Sequence, residues 1–237
     1  MTPVLELEAV HAHYDKSHIL QGVSMKVGRG EIVSLLGRNG SGRSTTLKSI
    51  MGLVRPTGGR VLLEGKNVAG QRAFRISRSG VAYVPEEREI FANITVAENM
   101  RIGVQPTRQG APNWTIDQMY ERFPQLRERC DTAAGMLSGG EQQMLTMCRS
   151  LLGNPRVILI DEPTEGLAPK IVEVVTEMIN EIRNRGVSVL LVEQKLTVAM
   201  RVSDRVYVMG HGQVVFEGTP EALRNAPEVR GNWLEVN

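Results

Sequence analysis

Gly37-Arg38-Asn39-Gly40-Ser41-Gly42-Arg43-Ser44-Thr45 decides how this chain is read. The stretch fits the phosphate-loop frame G-x-x-x-x-G-K-[ST] at every place but one, where Arg43 stands instead of lysine. Gly37, Gly40 and Gly42 permit backbone conformations and close approaches that a side chain would block, so successive N–H groups can turn inward around an anion. The flanks supply the required order of elements. Glu31 to Leu36 reads as a buried strand, and Ser44 to Met51 reads as a helix whose positive N-terminal end faces the loop. The expected nucleotide contacts are Gly37, Asn39, Gly40, Ser41, Gly42, Arg43, Ser44 and Thr45, with the Ser44 hydroxyl on Mg²⁺ and Thr45 supporting the phosphates.

Arg43 needs separate treatment. A lysine ammonium is a compact point charge, whereas a guanidinium is planar, broader and permanently charged. Arginine binds phosphate well, often through two hydrogen bonds, so nucleotide binding is expected to survive. Hydrolysis depends on accurate placement of the γ-phosphoryl group, and there the change of shape is expected to cost rate.

At 237 residues, 41% hydrophobic and 23% charged, the chain is long enough for one large core or a core with a subdomain. A net charge of +2, without a Lys/Arg block, argues against nucleic acid as a partner. Cys130 and Cys148 have no Cys or His neighbour at metal-ligand spacing, which suits a reducing cytosolic compartment. The first residues carry acid where a signal peptide carries base, and no stretch nears the roughly twenty apolar residues that span a bilayer. Any membrane role is expected to come through a partner.

Val4 to Val10 and Leu20 to Val27 alternate as half-exposed antiparallel strands do. Val157 to Ile160 and Val187 to Val192 are nearly continuous apolar runs, as in strands covered on both faces. A mixed sheet is therefore expected. Between these segments, about Arg88 to Leu152, helix signals dominate: Thr95 to Asn99, Ile116 to Phe123, and a long helix after Ser138. Towards the C-terminus, Leu196 to Val202 suggests a short helix, Arg205 to Phe216 a hairpin across Gly210-His211-Gly212, and Thr219-Pro220 the start of a last helix. The boundaries read from this pass are a core of 1–87 and 153–237 and a helical insert of 88–152.

The run Val157 to Ile160 ends in Asp161-Glu162-Pro163, a buried strand delivering two adjacent carboxylates. Phosphoryl transfer to water uses such a pair, one acid for Mg²⁺ or its water and one to orient or deprotonate the attacking water. Asp161 suits the first role and Glu162, as catalytic base, the second. In Leu137-Ser138-Gly139-Gly140-Glu141, Ser138 and Glu141 make a capping box, and two glycines at a helix N-terminus also form a surface that can meet a phosphate.

Together these segments resemble the ATP-binding subunits of ATP-binding-cassette transporters, over essentially the whole chain. Gly37 to Thr45 is similar to that family's Walker A loop, Ile160-Asp161-Glu162 to the end of Walker B, and Leu137 to Glu141 to its signature motif. The resemblance implies an α/β P-loop fold with an antiparallel N-terminal subdomain and an inserted helical subdomain, ATP and Mg²⁺ as cofactors, and a head-to-tail dimer with a second ATPase subunit or with itself. Ser138, Gly139 and Gly140 of one subunit would then cover the nucleotide on the other. Tyr14 matches the aromatic that stacks on adenine. Glu86 and Gln194 stand where most of the family has glutamine and histidine, which implies a metal-side role for Glu86 and a catalytic one for Gln194. With Phe91, Thr95 to Asn99 and Glu165 to Pro169, they resemble the shorter ATPase subunit of importers for branched-chain amino acids and related substrates. Implied partners are membrane permease subunits and, indirectly, a substrate-binding protein, with the chain peripheral on the cytoplasmic face of the inner membrane. The alternative is a nucleotide-gated, weakly hydrolysing subunit whose partner ATPase does most of the chemistry. The segment Glu86 to Asn99, with Ile90, Phe91 and Ile94, is expected to connect the nucleotide to the permease.

Overall fold

A computed structural model describes residues 2–108 and 112–234. The chain opens with β1 (Leu5–Tyr14) and β2 (Ser17–Val27), antiparallel as their alternation predicts. With β4 (Gly58–Leu63) and β5 (Lys66–Asn67) they form a four-stranded sheet ordered β2-β1-β4-β5. A second sheet is built from β3 (Ile32–Gly37), β6 (Val81–Val84), β7 (Val157–Asp161), β8 (Ser188–Val192), β9 (Arg205–Gly210) and β10 (Gln213–Gly218), in the order β10-β9-β3-β8-β7-β6. Its strands run parallel from β9 to β6, and β10 adds an antiparallel edge through the expected hairpin. The expected mixed core sheet and antiparallel N-terminal sheet are therefore both present.

The continuous apolar runs are explained by burial on both faces. Along β3, Val33 and Leu35 face a core shared with the four-stranded sheet, while Ile32 packs into a second core with the helices. The helices are α1 (Arg43–Ile50), α2 (Ala73–Arg78), α3 (Val96–Gly103), α4 (Ile116–Arg122), α5 (Pro124–Glu128), α6 (Gly139–Leu151), α7 (Pro169–Asn184), α8 (Leu196–Val202), α9 (Pro220–Arg224) and α10 (Pro227–Trp233). Between β6 and β7 lie α3 to α6. Met100, Phe123, Leu126, Leu145 and Leu151 of this region join Ile158 and Ile160 of β7 in one core.

Local chemistry sets several helix starts. Thr95, Thr115 and Ser138 each close a capping box with Glu98, Gln118 and Glu141, satisfying N–H groups that a helix terminus leaves open. The helix expected over Ile116 to Phe123 ends at Arg122, because Pro124 starts a new helix, α5, at its first position.

All the parallel strands deliver their C-terminal ends to the same edge, where ligands of open α/β sheets bind. From that edge emerge the phosphate loop after β3, Glu86 after β6, Asp161 and Glu162 after β7, and Glu193 and Gln194 after β8.

Candidate functional site

Residues 37–42 form the loop between β3 and α1, with Gly37, Gly40 and Gly42 at φ +150°, +78° and +104°. At Gly37 an added Cβ would stand 2.6 Å from the Met209 carbonyl oxygen, while at Gly40 no atom lies within 4 Å of the added carbon. The loop is therefore braced against β9 on one side and open on the other. Ser41 Oγ is buried with no hydrogen-bond partner among the described residues, an orphan donor at the site of an expected phosphate. Leu20 of β2 closes on Gly42, where a Cβ would meet its Cδ2 at 2.9 Å. The β1–β2 hairpin thus lies on the loop's flank, and Tyr14, at the end of β1, stands exposed near its tip.

The metal-side residues fit a hard cation. Ser44 Oγ donates to Asp161 Oδ1 at 3.0 Å, and Tyr83 Oη donates to Asp161 Oδ2 at 3.2 Å. Burial raises the Asp161 pKa above its ordinary value, against the Ser44 and Tyr83 hydrogen bonds that lower it. Burial, with the Asp161 charge second, raises Tyr83 and keeps it a neutral donor. A hydroxyl and a carboxylate at this spacing suit the oxygen coordination that Mg²⁺ prefers. Glu86 is exposed and stands with Glu162 and Glu165, whose nearest carboxylate oxygens lie within 4.8 Å of one another. Burial and the Glu165 charge raise its pKa.

Arg43 does not extend freely over the loop. Its Nη2 lies 2.7 Å from Glu162 Oε1 and donates to Asn39 Oδ1 at 3.0 Å, and its Nη1 reaches the Glu193 carbonyl at 3.5 Å. Glu162 occupies the left-handed region at φ +44°, a conformation that is strained for a non-glycine residue and that functional sites often retain. Burial and a hydrogen bond with Glu165 push its pKa up to about 7, while the Arg43 charge opposes the rise.

Gln194 Nε2 reaches Asn39 Oδ1 at 3.4 Å, so both residues border the loop. Glu193 is buried and accepts from Thr164 Oγ1 at 2.8 Å and from the backbone N–H groups of Gln194 and Lys195 at 2.9 and 2.8 Å. These bonds make Glu193 a floor beneath the site. Sequence reading gave Thr164, Glu165 and Tyr83 no site role, since each is recognisable only by the carboxylate it contacts.

Ser138 caps α6, whose first residues are Gly139 and Gly140. Ser138 Oγ donates to Glu141 Oε2 at 2.7 Å within its own cap. Beside it, Arg88 covers Gly139, where a Cβ would lie 2.9 Å from Nη1. The Thr146 hydroxyl donates to the Arg88 carbonyl at 2.7 Å, tying the segment after β6 to the signature helix.

The sequence model of the ABC transporter family matches residues 20–165, from β2 through the phosphate loop and α6 to the Asp161-Glu162 pair. The chain is 40% identical over 231 residues to the high-affinity branched-chain amino acid transport ATP-binding protein BraG of Pseudomonas aeruginosa, covering 98% of this chain and 99% of that protein. It is 32% identical to the lipopolysaccharide export system ATP-binding protein LptB of Haemophilus influenzae, over 98% and 97% of the two chains. A solved nucleotide-free ATP-binding cassette from an ABC transporter aligns with a TM-score of 0.81 at 28% identity, covering 95% of each chain. With its phosphate loop, paired carboxylates and signature helix set on this cassette fold, the chain belongs to the ABC transporter family, as an ATP-binding subunit.

Proposed function

We propose that this subunit binds and hydrolyses ATP to drive an importer of branched-chain amino acids or related small substrates. The 40% identity to BraG, against 32% to LptB, favours import over lipopolysaccharide export. The observation that carries the reading is the meeting of Ser44 and Asp161 at 3.0 Å, which unites the two halves of the site across the sheet.

In this reading the N–H groups of 37–45 cradle the phosphates, with Ser41 Oγ gaining the partner it lacks. Tyr14 stacks on adenine. Ser44 and Asp161 would hold Mg²⁺, with Glu86 as the further metal-side carboxylate, and the ion would supply charge neutralisation for the phosphates. Glu162 accepts a proton from the attacking water, and Gln194 orients that water or the γ-phosphate. Ser138, Gly139 and Gly140 serve the nucleotide of an opposing subunit in a head-to-tail dimer. Their exposed or half-buried position supports that role.

Residues 88–152 act as the subdomain that contacts the permease. A groove of 460 Å³ opens between α2, β6, α3 and α6, lined by Phe74, Phe91, Ile102 and Arg149 among others. Phe91 is 49% exposed, beneath the Arg149 guanidinium at 4.9 Å. Ile90 packs against the helical core and Ile94 is half-buried, so Phe91 is the anchor presented to a partner helix. No described helix is long and apolar enough to cross a membrane.

A second reading is favoured by the Arg43–Glu162 ion pair, which occupies the base: ATP binds and closes the dimer while the partner subunit does most of the chemistry. Co-purification with the permease subunits and measurement of substrate-stimulated ATPase activity tests the transport reading. Stimulation by branched-chain amino acids through a cognate binding protein supports it, and no stimulation by any such substrate overturns it.

A further inference from the structure

The last helix, α10, contributes no group to the nucleotide site, yet it is seated beside the phosphate loop. Arg38 Nη2 donates to the Gly231 carbonyl at 3.3 Å. The half-buried Trp233 lies on the β9–β10 turn, where a Cβ added at Gly210 would stand 2.3 Å from ring atoms Cε3 and Cζ3. The His211 ring meets the indole edge-on, with 5.3 Å between centroids and 79° between planes. The same turn holds the loop, since the Gly212 N–H donates to the Ser41 carbonyl at 3.1 Å. The Gly212 carbonyl accepts from the Gln21 N–H at 2.8 Å, which fixes the turn to β2 as well.

These contacts fall on the side of the loop that a phosphate does not use. A loop that turns N–H groups inward around an anion sends carbonyls outward, and those need donors of their own. The Ser41 carbonyl finds its donor in the turn, and the turn finds its backing in Trp233. On the other shoulder, Leu234 shares a cavity of 350 Å³ with Gly37, Asn39 and Gln194. A second cavity, of 180 Å³, separates Trp233 from residues 38–41, so the indole bears on the turn and leaves the loop room to settle around an anion.

We propose that Trp233 is a positioning residue for the phosphate loop: through the Gly210-His211-Gly212 turn it holds the Ser41 peptide as a bound phosphate requires, and its ring senses whether the loop is occupied. The proposal rests on the reading of residues 37–45 as the phosphate-binding loop. Holding the loop in its bound form before the ligand arrives lowers the ordering cost of binding, so loss of the indole weakens nucleotide affinity.

The chain has two tryptophans, and Trp114 is buried in the helical core. In protein labelled with fluorotryptophan, the Trp233 fluorine resonance is the one missing from Trp233→Phe. Pyrophosphate and ATP should each shift that resonance, and adenosine should not. By calorimetry, Trp233→Ala should bind ATP at least about tenfold more weakly, with Trp233→Phe within about threefold of the parental protein. A Trp233 resonance unmoved by ATP in protein that binds it overturns the proposal, as does full ATP affinity in a folded Trp233→Ala. If Trp233→Ala does not fold, the resonance shift decides. A parental protein that binds neither ATP nor pyrophosphate would overturn the reading of the loop, and this proposal with it.

Discussion

Arg43 Nη2 lies 2.7 Å from Glu162 Oε1, with the two side chains only 4% and 8% exposed. The basic residue of the phosphate loop therefore rests on the carboxylate assigned to activate water. On the proposed assignment, incoming phosphates would have to draw the guanidinium away before Glu162 could act as a base. Removing one partner of a buried pair leaves an uncompensated charge, so the contact holds both side chains in place.

Arg43→Lys should bind ATP with modestly changed affinity and hydrolyse it faster, by up to about 10²-fold, the scale of one transition-state contact. A lysine has one compact donor head and cannot make the guanidinium's simultaneous contacts with Asn39, Glu162 and the Glu193 carbonyl. Single-turnover rates at saturating ATP check this. An unchanged or lower rate means that the loop has adapted around arginine.

The raised Glu162 pKa makes stability depend on pH in a defined direction. Its folded value is pushed from 4.5 to about 7, so the folded state keeps a proton that the unfolded chain has released. Unfolding free energy of the nucleotide-free protein should then fall as pH rises from 4.5 to about 7 and level off above. Burial-raised Asp161, Glu86 and Glu193 push in the same direction. Urea unfolding across that window should show a shallower slope in Glu162→Gln. Equal slopes in the two proteins would mean that Glu162 titrates as it does in the unfolded chain.

Phe91→Glu should leave the isolated subunit folded and able to bind ATP, since the ring is half exposed, while abolishing transport by the assembled complex. Circular dichroism, nucleotide binding and uptake into proteoliposomes separate the outcomes. Loss of folding would assign Phe91 to the core, and normal uptake would remove it from the coupling path.

Much of this architecture was legible because its signals are local. The β3–loop–α1 unit and the β7 strand ending at Asp161 follow from glycine spacing and continuous apolar runs. The Ser138–Glu141 cap is a contact across three positions. The sequence reading did not separate β4, which opens on Gly58-Gly59, or α10, which follows α9 after a short break. Glycine weakens a strand signal, and Gly59 is needed where a Cβ would strike the Ala9 carbonyl at 2.2 Å. The ion pair between Arg43 and Glu162 was not legible either. Each residue has a role in its own motif, and only the sheet order, with β8 between β3 and β7, brings the two ends together.

Single-turnover ATP hydrolysis by the purified subunit and by Glu162→Gln, at protein concentrations that permit dimer formation, tests the central claim most directly. The parental protein should hydrolyse its bound ATP, while Glu162→Gln should retain ATP in a closed dimer with hydrolysis slowed by at least about 10²-fold. Hydrolysis at the parental rate in Glu162→Gln would contradict the assignment and turn attention to the neighbouring buried carboxylate Glu193, and no hydrolysis by the parental protein would leave the nucleotide-gated reading standing in its place.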